Sequence, residues 1–556
     1  MQEHDLHISP VEPQDEKHGI FQRTGHLGSR VQGQRKSTVH QIVVEDRGEN
    51  EHCQPDARRH AQVEVRLSSR WSSRVGLSAA RPGEQEGTPQ EAPAEGDLPG
   101  ANAKCCRQHP GVHGRPLFAF EHIMATPAMS VKHCSHRPPI RSLRGVVETT
   151  IENDGERGTM KPLDDVLVLD LSRVLSGPYC TMALADMGAR VVKVERPGKG
   201  DDTRSFGPPF IEGESAYFMS VNRNKQSVTL NIKHPRGREL LWRMVERADV
   251  LVENFRPGVL DRLGFSYSAC ADRNPGLIYC SISGFGHHGL LEFARKPGYD
   301  VVIQGLGGLQ SLTGPEDGPP YKVGTSIADL IAGLYAVQGI LLALLARART
   351  GKGQRVDISM LDGQVSLLTY QAGIYFATGQ VPARMGNRHP TIAPYETVAV
   401  RDGYMNLAVG NDTLWEAFCK AAEIADLRTD PRFRTNRDRV THRTALFEVI
   451  GPVLRQHTLA EWVERLDAAG VPCGPVLDLH EVLNHPQIRA RDMVVTQEHP
   501  VAGTIRSTGI PVRLSDTPGD VGAAPPVLGQ HTNMVFQDLL GLSKEDLERL
   551  EQEGVV

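Results

Sequence analysis

From about residue 160 onward, short apolar runs alternate with stretches of roughly a dozen residues whose apolar positions recur at helical spacing. Val166–Leu171 (VLVLDL) reads as a buried strand, and Gly177–Pro178 turns into a helix with Tyr179, Met182, Ala183 and Met187 on one face. Further strands are expected at Arg190–Val194, Val228–Ile232, Asp249–Val252 and Leu277–Ser281, with a helix at Pro235–Ala248 between the second and third of these. Strands alternating with such helices imply parallel βαβ units. A long, almost uncharged run from Thr325 to Ala346 predicts one extended helix.

The texture changes near Gly379. The turn-rich RMGNRHPTIAPYE leads to helical stretches at Asp412–Ala425 and Leu459–Ala469, then a turn at Gly470–Pro475. Strands, loops and an amphipathic helix near Ser543–Glu553 finish the chain. The expected fold is α/β: a large Rossmann-like parallel-sheet domain built from N- and C-terminal parts, with a smaller inserted α+β domain. The boundaries read as 160–378, 379–488 and a return at 489–556. Residues 1–159 lack apolar runs and are rich in Arg, His, Gln, Glu, Pro and Gly, a composition that cannot offset the entropy of ordering. They are expected to be disordered or an extension of the natural chain, with Met160 as a candidate start.

Size, charge and cysteines narrow the function. At 556 residues the chain exceeds the usual size of a single core. A net charge of −5 argues against a general nucleic-acid binder. Nine scattered cysteines and the lack of a recognisable secretory signal suggest a reducing, cytoplasmic setting. Cys105, Cys106, His109, His113, His133, Cys134 and His136 match no standard zinc spacing, so no metal is expected. The apolar run at Ile327–Ala346 has membrane length, but it carries Asp329 and Gln338 and reads better as a buried core helix.

Asp329 has two readings. Ser326-Ile-Ala-Asp329 fits a capping box, with Asp in place of the usual Glu. The same position, at the positive end of a helix dipole, favours the ionised carboxylate that a nucleophile needs. Arg196, Arg204, Arg223, Lys225, Arg256 and Arg262 fall at predicted strand ends and following loops, where parallel sheets bind ligands, and would suit a phosphorylated one. The first turn reads Ser176-Gly-Pro178 rather than G-x-G-x-x-G, which weakens an NAD-dependent dehydrogenase.

The segments SRVLSGPYCTMALADMGARVVKVERPGKGDDTR, NRNKQSVTLNIKHPRG, ENFRPGVLDRLGF, KPGYDVVIQGLGGL and TSIADLIAGLYAVQGILLALLARARTGKGQRVDISMLD together resemble the class III coenzyme A transferases, in order, from about Lys161 to the C-terminus. The resemblance implies that Asp329 is a covalent nucleophile, forming first an acyl anhydride and then an aspartyl-CoA thioester. It implies CoA contacts from Val174, Leu175, Arg196, Asn222, Lys225, Asn254, Phe255 and Arg262, with Lys296 the nearest counterpart of a family lysine. It also implies an interlocked homodimer, no permanently bound cofactor, and acyl-CoA and carboxylic acid substrates.

A backbone oxyanion site is expected near Gly305, Gly307 and Gly308. The related α-methylacyl-CoA racemases use a histidine where this chain has Tyr299, in Gly298-Tyr299-Asp300, and a phenol is a poor substitute for imidazole in a two-base exchange. The stretch GDDTRSFGPPFIEGESAYFMSVNRNKQSVTLNIK looks like the succinate–hydroxymethylglutarate branch, and Arg384, Arg388 or His389 are candidates to read the distal carboxylate of a dicarboxylate.

Overall fold

The computed structural model describes residues 160–294 and 296–556; the cysteine–histidine group between Cys105 and His136 lies outside them. Six strands make the main sheet: β1 (Leu167–Asp170), β2 (Arg190–Glu195), β3 (Lys225–Thr229), β4 (Val250–Glu253), β5 (Ile278–Ser283) and β6 (Arg355–Ser359). Their order is β3-β2-β1-β4-β5-β6, and every neighbouring pair is parallel. The order reverses between β1 and β4, and ligands in such sheets bind at the carboxyl ends beside that reversal.

Successive residues along the strands feed opposite layers. Leu169, Val192 and Leu251 pack with Leu241 of the Pro235–Val245 helix and with Val535, Phe536, Leu547 and Leu550 from the C-terminal helices. Val168, Val191, Val250 and Ile278 face the other way, onto α1 (Ser176–Asp186) and α3 (Ile327–Thr350). Two-sided burial explains why these strands are continuously apolar. A separate core from Ala393 to Val471 covers a three-stranded sheet formed by Tyr395–Ala399, Tyr404–Ala408 and Cys473–Pro475. The last of these is a short strand paired to Tyr404–Ala408, where the sequence predicted only a turn; the turn itself closes one step earlier, at Gly470.

β3 lies three residues earlier than its apolar pattern suggests, pairing Val191 with Lys225 and Glu195 with Thr229. The shift is possible because Lys225, fully buried, finds partners inside: its Nζ donates to Pro178 O (2.8 Å), Asn222 Oδ1 (2.9 Å) and Asp170 Oδ2 (3.1 Å). Lys193 is equally buried and donates to Ser172 O (3.0 Å) and pairs with Asp201 Oδ2 (2.9 Å). Asp170 at the end of β1, Lys193 within β2, Asp201 in the loop after β2 and Lys225 at the start of β3 thus form a dry quartet. Burial opposes the charge on Asp170, but Lys193 and Lys225 outweigh it and hold the pKa down at about 2, while burial pushes Lys225 down to about 8.

Helix α3 departs from the expected fully buried element. Ala328, Ala332, Ala336, Ile340 and Ala343 are buried against the sheet, their small side chains allowing close approach. Leu334, Leu341, Leu342 and Leu345, on the far side, are exposed. Among the described residues it is the one helix long and apolar enough to cross a membrane. Its packed alanine face makes it a half-covered element of this fold.

The segment entering α2 (Asp300–Leu306) crosses the β5 exit at two glycines. A Cβ on Gly298 would come within 2.2 Å of Gly284 Cα, a backbone atom that cannot swing aside. Gly298→Ala is therefore expected to lower stability by about 2 kcal/mol or more, measured by urea unfolding.

Candidate active site

α3 starts at Ile327, but Ser326 makes no side-chain cap, so the capping box does not form. The free amide of Ala328 donates instead to Asp300 Oδ1 (3.0 Å), a carboxylate from the first turn of α2. Gln304 Nε2 holds the other oxygen of Asp300 (2.8 Å), and Gln304 Oε1 accepts from Val323 N (2.9 Å), strapping the approach to α3 onto α2. Asp300 thus supplies the cap that Ser326 does not, and among the described residues no amide of α3 is bonded to the Asp329 carboxylate.

Asp329 is partly buried, with its pKa pushed up to about 6, first by burial and then by the charge of Asp300. The hydroxyl and backbone amide of Ser176 pull the other way. Ser176 opens α1 at the reversal point of the sheet, and Gly333 lets α3 press onto it: a Cβ there would lie 2.8 Å from Ser176 O. Val174 and Leu175 pack beside Leu330, the residue after Asp329. Val174 holds φ at 69°, unusual for a β-branched residue, with its amide fixed by Asp201 Oδ1 (3.1 Å). The phenol of Tyr217 completes this side; burial, then Asp329 and Asp300, push its pKa up to about 12.

A cavity of about 440 Å³ opens over the carboxyl ends of β1 to β4 and runs back to Ser172 and Arg173. Arg196, Lys199 and Lys233 line it with positive charge, and Leu230, Phe255 and Leu263 supply apolar surface. Such a mixture fits a phosphorylated nucleotide portion with a planar base.

The expected contacts divide. Arg196 and Phe255 line the cavity, and Val174 and Leu175 sit next to Asp329. Asn254 lies between the two regions. Arg262 is exposed on the short Val259–Leu263 helix, whose Val259 and Leu263 line the cavity. Lys296 is exposed with its ammonium 3.9 Å from the Phe293 ring centroid, and Tyr299, at the N-cap of α2, is 67% exposed.

Six further residues engage partners inside the protein. Asn222 and Lys225 are buried and bonded to each other, and neither lines the large cavity. The amides of Gly307 and Gly308 donate to Ile303 O (2.8 Å) and Gly305 O (3.4 Å) as α2 ends, so they are already used. Two other supposed ligand cations are likewise spoken for: Arg204 by Glu195 (2.7 Å) and Arg223 by Asp186 (2.7 Å).

Arg384 donates to Pro315 O and Gly318 O (2.7 Å), and Arg388 pairs with Glu316. His389 stacks on Tyr370 at 5.2 Å. The two arginines stitch two loops together, and His389 rests on the Thr369–Thr378 helix. What the sequence missed is Tyr217, which no spacing marks, and Leu230–Lys233, which become visible once β3 is placed correctly.

A six-stranded sheet with this order, a freed carboxylate at its reversal point and a cationic cavity alongside define an acyl-handling enzyme of the nucleotide-binding type. Residues 163–532 match the model of CoA-transferase family III, and the chain belongs to that family. It is 40% identical over 398 residues to the succinyl-CoA:glutarate CoA-transferase of Mus musculus, covering 72% of this chain and 91% of that one. It is 45% identical over 367 residues to the acetyl-CoA:oxalate CoA-transferase of Acetobacter aceti (66% and 92% covered). A crystal structure of a CAIB/BAIF family protein from Brucella suis superposes with a TM-score of 0.62 at 42% identity, covering 69% of this chain and all of that one. The chain is thus a class III CoA-transferase, and the dehydrogenase reading falls away.

A carboxylate attacks only when ionised, so if Asp329 is the attacking group activity is expected to fall as pH drops through about 6. Asp300→Asn keeps an oxygen for the Ala328 amide but removes the charge, so the acid limb of the kcat/KM profile should move to lower pH. Asp300→Ala, which also removes the cap, should lower stability by about 1 kcal/mol. An unmoved limb in Asp300→Asn would contradict this account.

Proposed function

We propose that this chain transfers CoA from succinyl-CoA to a small carboxylic acid, a dicarboxylate in the first instance, through a covalent intermediate on Asp329. The observation that carries the reading is the release of Asp329 from capping by Asp300, beside a cavity built for a phosphorylated group. The names of its relatives support the substrate class: besides glutarate, they include a succinyl-CoA–D-citramalate CoA-transferase of Chloroflexus aurantiacus, 37% identical.

The chemistry balances without a resident cofactor. An Asp329 oxygen attacks the thioester carbonyl, and CoA leaves as thiolate, giving a mixed anhydride. The thiolate attacks the aspartyl carbonyl, and the donor acid leaves as carboxylate, giving an aspartyl-CoA thioester. The acceptor carboxylate attacks that thioester and expels the thiolate again. The thiolate then takes the acceptor acyl group, and Asp329 returns as carboxylate. CoA would enter with its nucleotide end among Arg196, Lys199, Lys233 and Phe255 and its thiol directed past Asn254 toward Asp329. Tyr217 is positioned to meet the acceptor acid. The exposed Tyr299 offers no second base for racemisation.

The working unit is a homodimer. The exposed leucines of α3 continue into Val301, Val302 and Leu306 of α2 and Phe376, an apolar surface that a second copy would cover. A cytoplasmic location accords with the five described cysteines, all unpaired.

Two outcomes follow. Incubation with succinyl-CoA and peptide mass spectrometry should show hydroxylamine-sensitive CoA mass on the Asp329 peptide, lost in Asp329→Ala; a wild type without the adduct would sink the covalent reading. Sedimentation should give a dimer, with Leu341→Arg/Leu345→Arg shifting it to monomer and reducing turnover.

A further inference from the structure

Ser176 is buried, yet it stands at the one place where α1, α3 and the crevice meet. Its hydroxyl oxygen accepts a hydrogen bond from Asn254 Nδ2 (3.3 Å). Asn254 is itself clamped, accepting from Arg173 N (2.9 Å) and donating to Arg173 O (2.6 Å). A hydroxyl has one proton to give. Asn254 engages one lone pair and leaves the Ser176 proton to give, and the first turns of α3, which carry Asp329, pack directly against this residue: a Cβ on Gly333 would lie 2.8 Å from Ser176 O, and Leu330 packs with Leu175. The backbone amide of Ser176 lies in the first turn of α1, where a helix has no carbonyl of its own to offer.

We propose that the Ser176 hydroxyl is a further catalytic group: fixed by Asn254, it donates to the Asp329 carboxylate before attack and to the aspartyl carbonyl oxygen afterwards. This rests on Asp329 being the nucleophile. The glycine amides expected to stabilise oxyanions are consumed within α2, so the donors must come from elsewhere. When the thiolate adds to the aspartyl carbonyl carbon, the π electrons move onto its oxygen. The hydroxyl and amide of Ser176 meet that charge without moving, and collapse expels the donor carboxylate. The proton stays on Ser176 throughout, so no base is required. Asn254 is the positioning residue, because it fixes the rotamer that aims the proton.

The test is the rate of Asp329–CoA adduct formation from succinyl-CoA, followed by rapid quench and mass spectrometry, across pH. Removing one preorganised oxyanion donor commonly costs about 10²-fold. Ser176→Ala should lose about that factor in rate with KM changed less than about threefold, and its acid limb should move to higher pH because a donor to the ionised carboxylate is gone. Ser176→Thr, which keeps a hydroxyl, should recover most of the rate. Adding Asn254→Ala to Ser176→Ala should move the limb no further, whereas Asn254→Ala alone should move it part of the way.

A Ser176→Ala enzyme with wild-type rate and limb would overturn the proposal while leaving the nucleophile intact. A wild type without any adduct would overturn both. Independent shifts from the two substitutions would remove Asn254 from the role.

Discussion

The bond from the Ala328 amide to Asp300 holds the site together. A helix N-terminus must find acceptors for its first amides, and a carboxylate in the first turn of α3 is the natural one to use. If Asp329 served that purpose, its lone pairs would be spent on its own helix. By drawing the acceptor from α2, the fold satisfies the helix and keeps the Asp329 carboxylate free. The arrangement has a cost, since two carboxylates now share one corner and Asp329 is harder to ionise. A carboxylate with a pKa near 6 remains ionised at neutral pH, so the cost falls on acidic conditions.

Around that corner the backbone is held in a conformation it would not choose. Val174 sits in the left-handed region, which costs about 1–2 kcal/mol for a residue with a Cβ. It is kept there by Asp201 on its amide and by the Asn254 amide on either side of Arg173. The loop carries Ser176 on one flank and lines the cationic cavity on the other. Binding surface and chemistry therefore share a single support.

Much of this was readable in the chain. The strand and helix alternation produced the sheet class, and Asp329 stood out because a charge in so apolar a run demands a reason. The third strand shows where reading by pattern fails. VTLNI has the better alternation, but KQSVT is the segment that pairs, because a buried lysine was matched by acids distant in sequence. That three-residue slip hid Leu230–Lys233, which line the cavity. The capping box failed for a similar reason: the competing acceptor, Asp300, comes from another helix and leaves no trace in the local spacing. Arg384 and Arg388 could not be separated from substrate-reading arginines, since their partners are carbonyls and an acid from a loop about seventy positions away.

The dry quartet of Asp170, Lys193, Asp201 and Lys225 bears on how this sequence can change over time. Neutralising any one member strands an opposite charge with no water to receive it, and removing one partner of a buried pair commonly costs about 3–5 kcal/mol. That is a large share of the stability of an ordinary domain. A single substitution would be purged before a second could repair it. Drift at these four positions must proceed by simultaneous exchange or not at all, so lineages that descend from this chain inherit the four as one character.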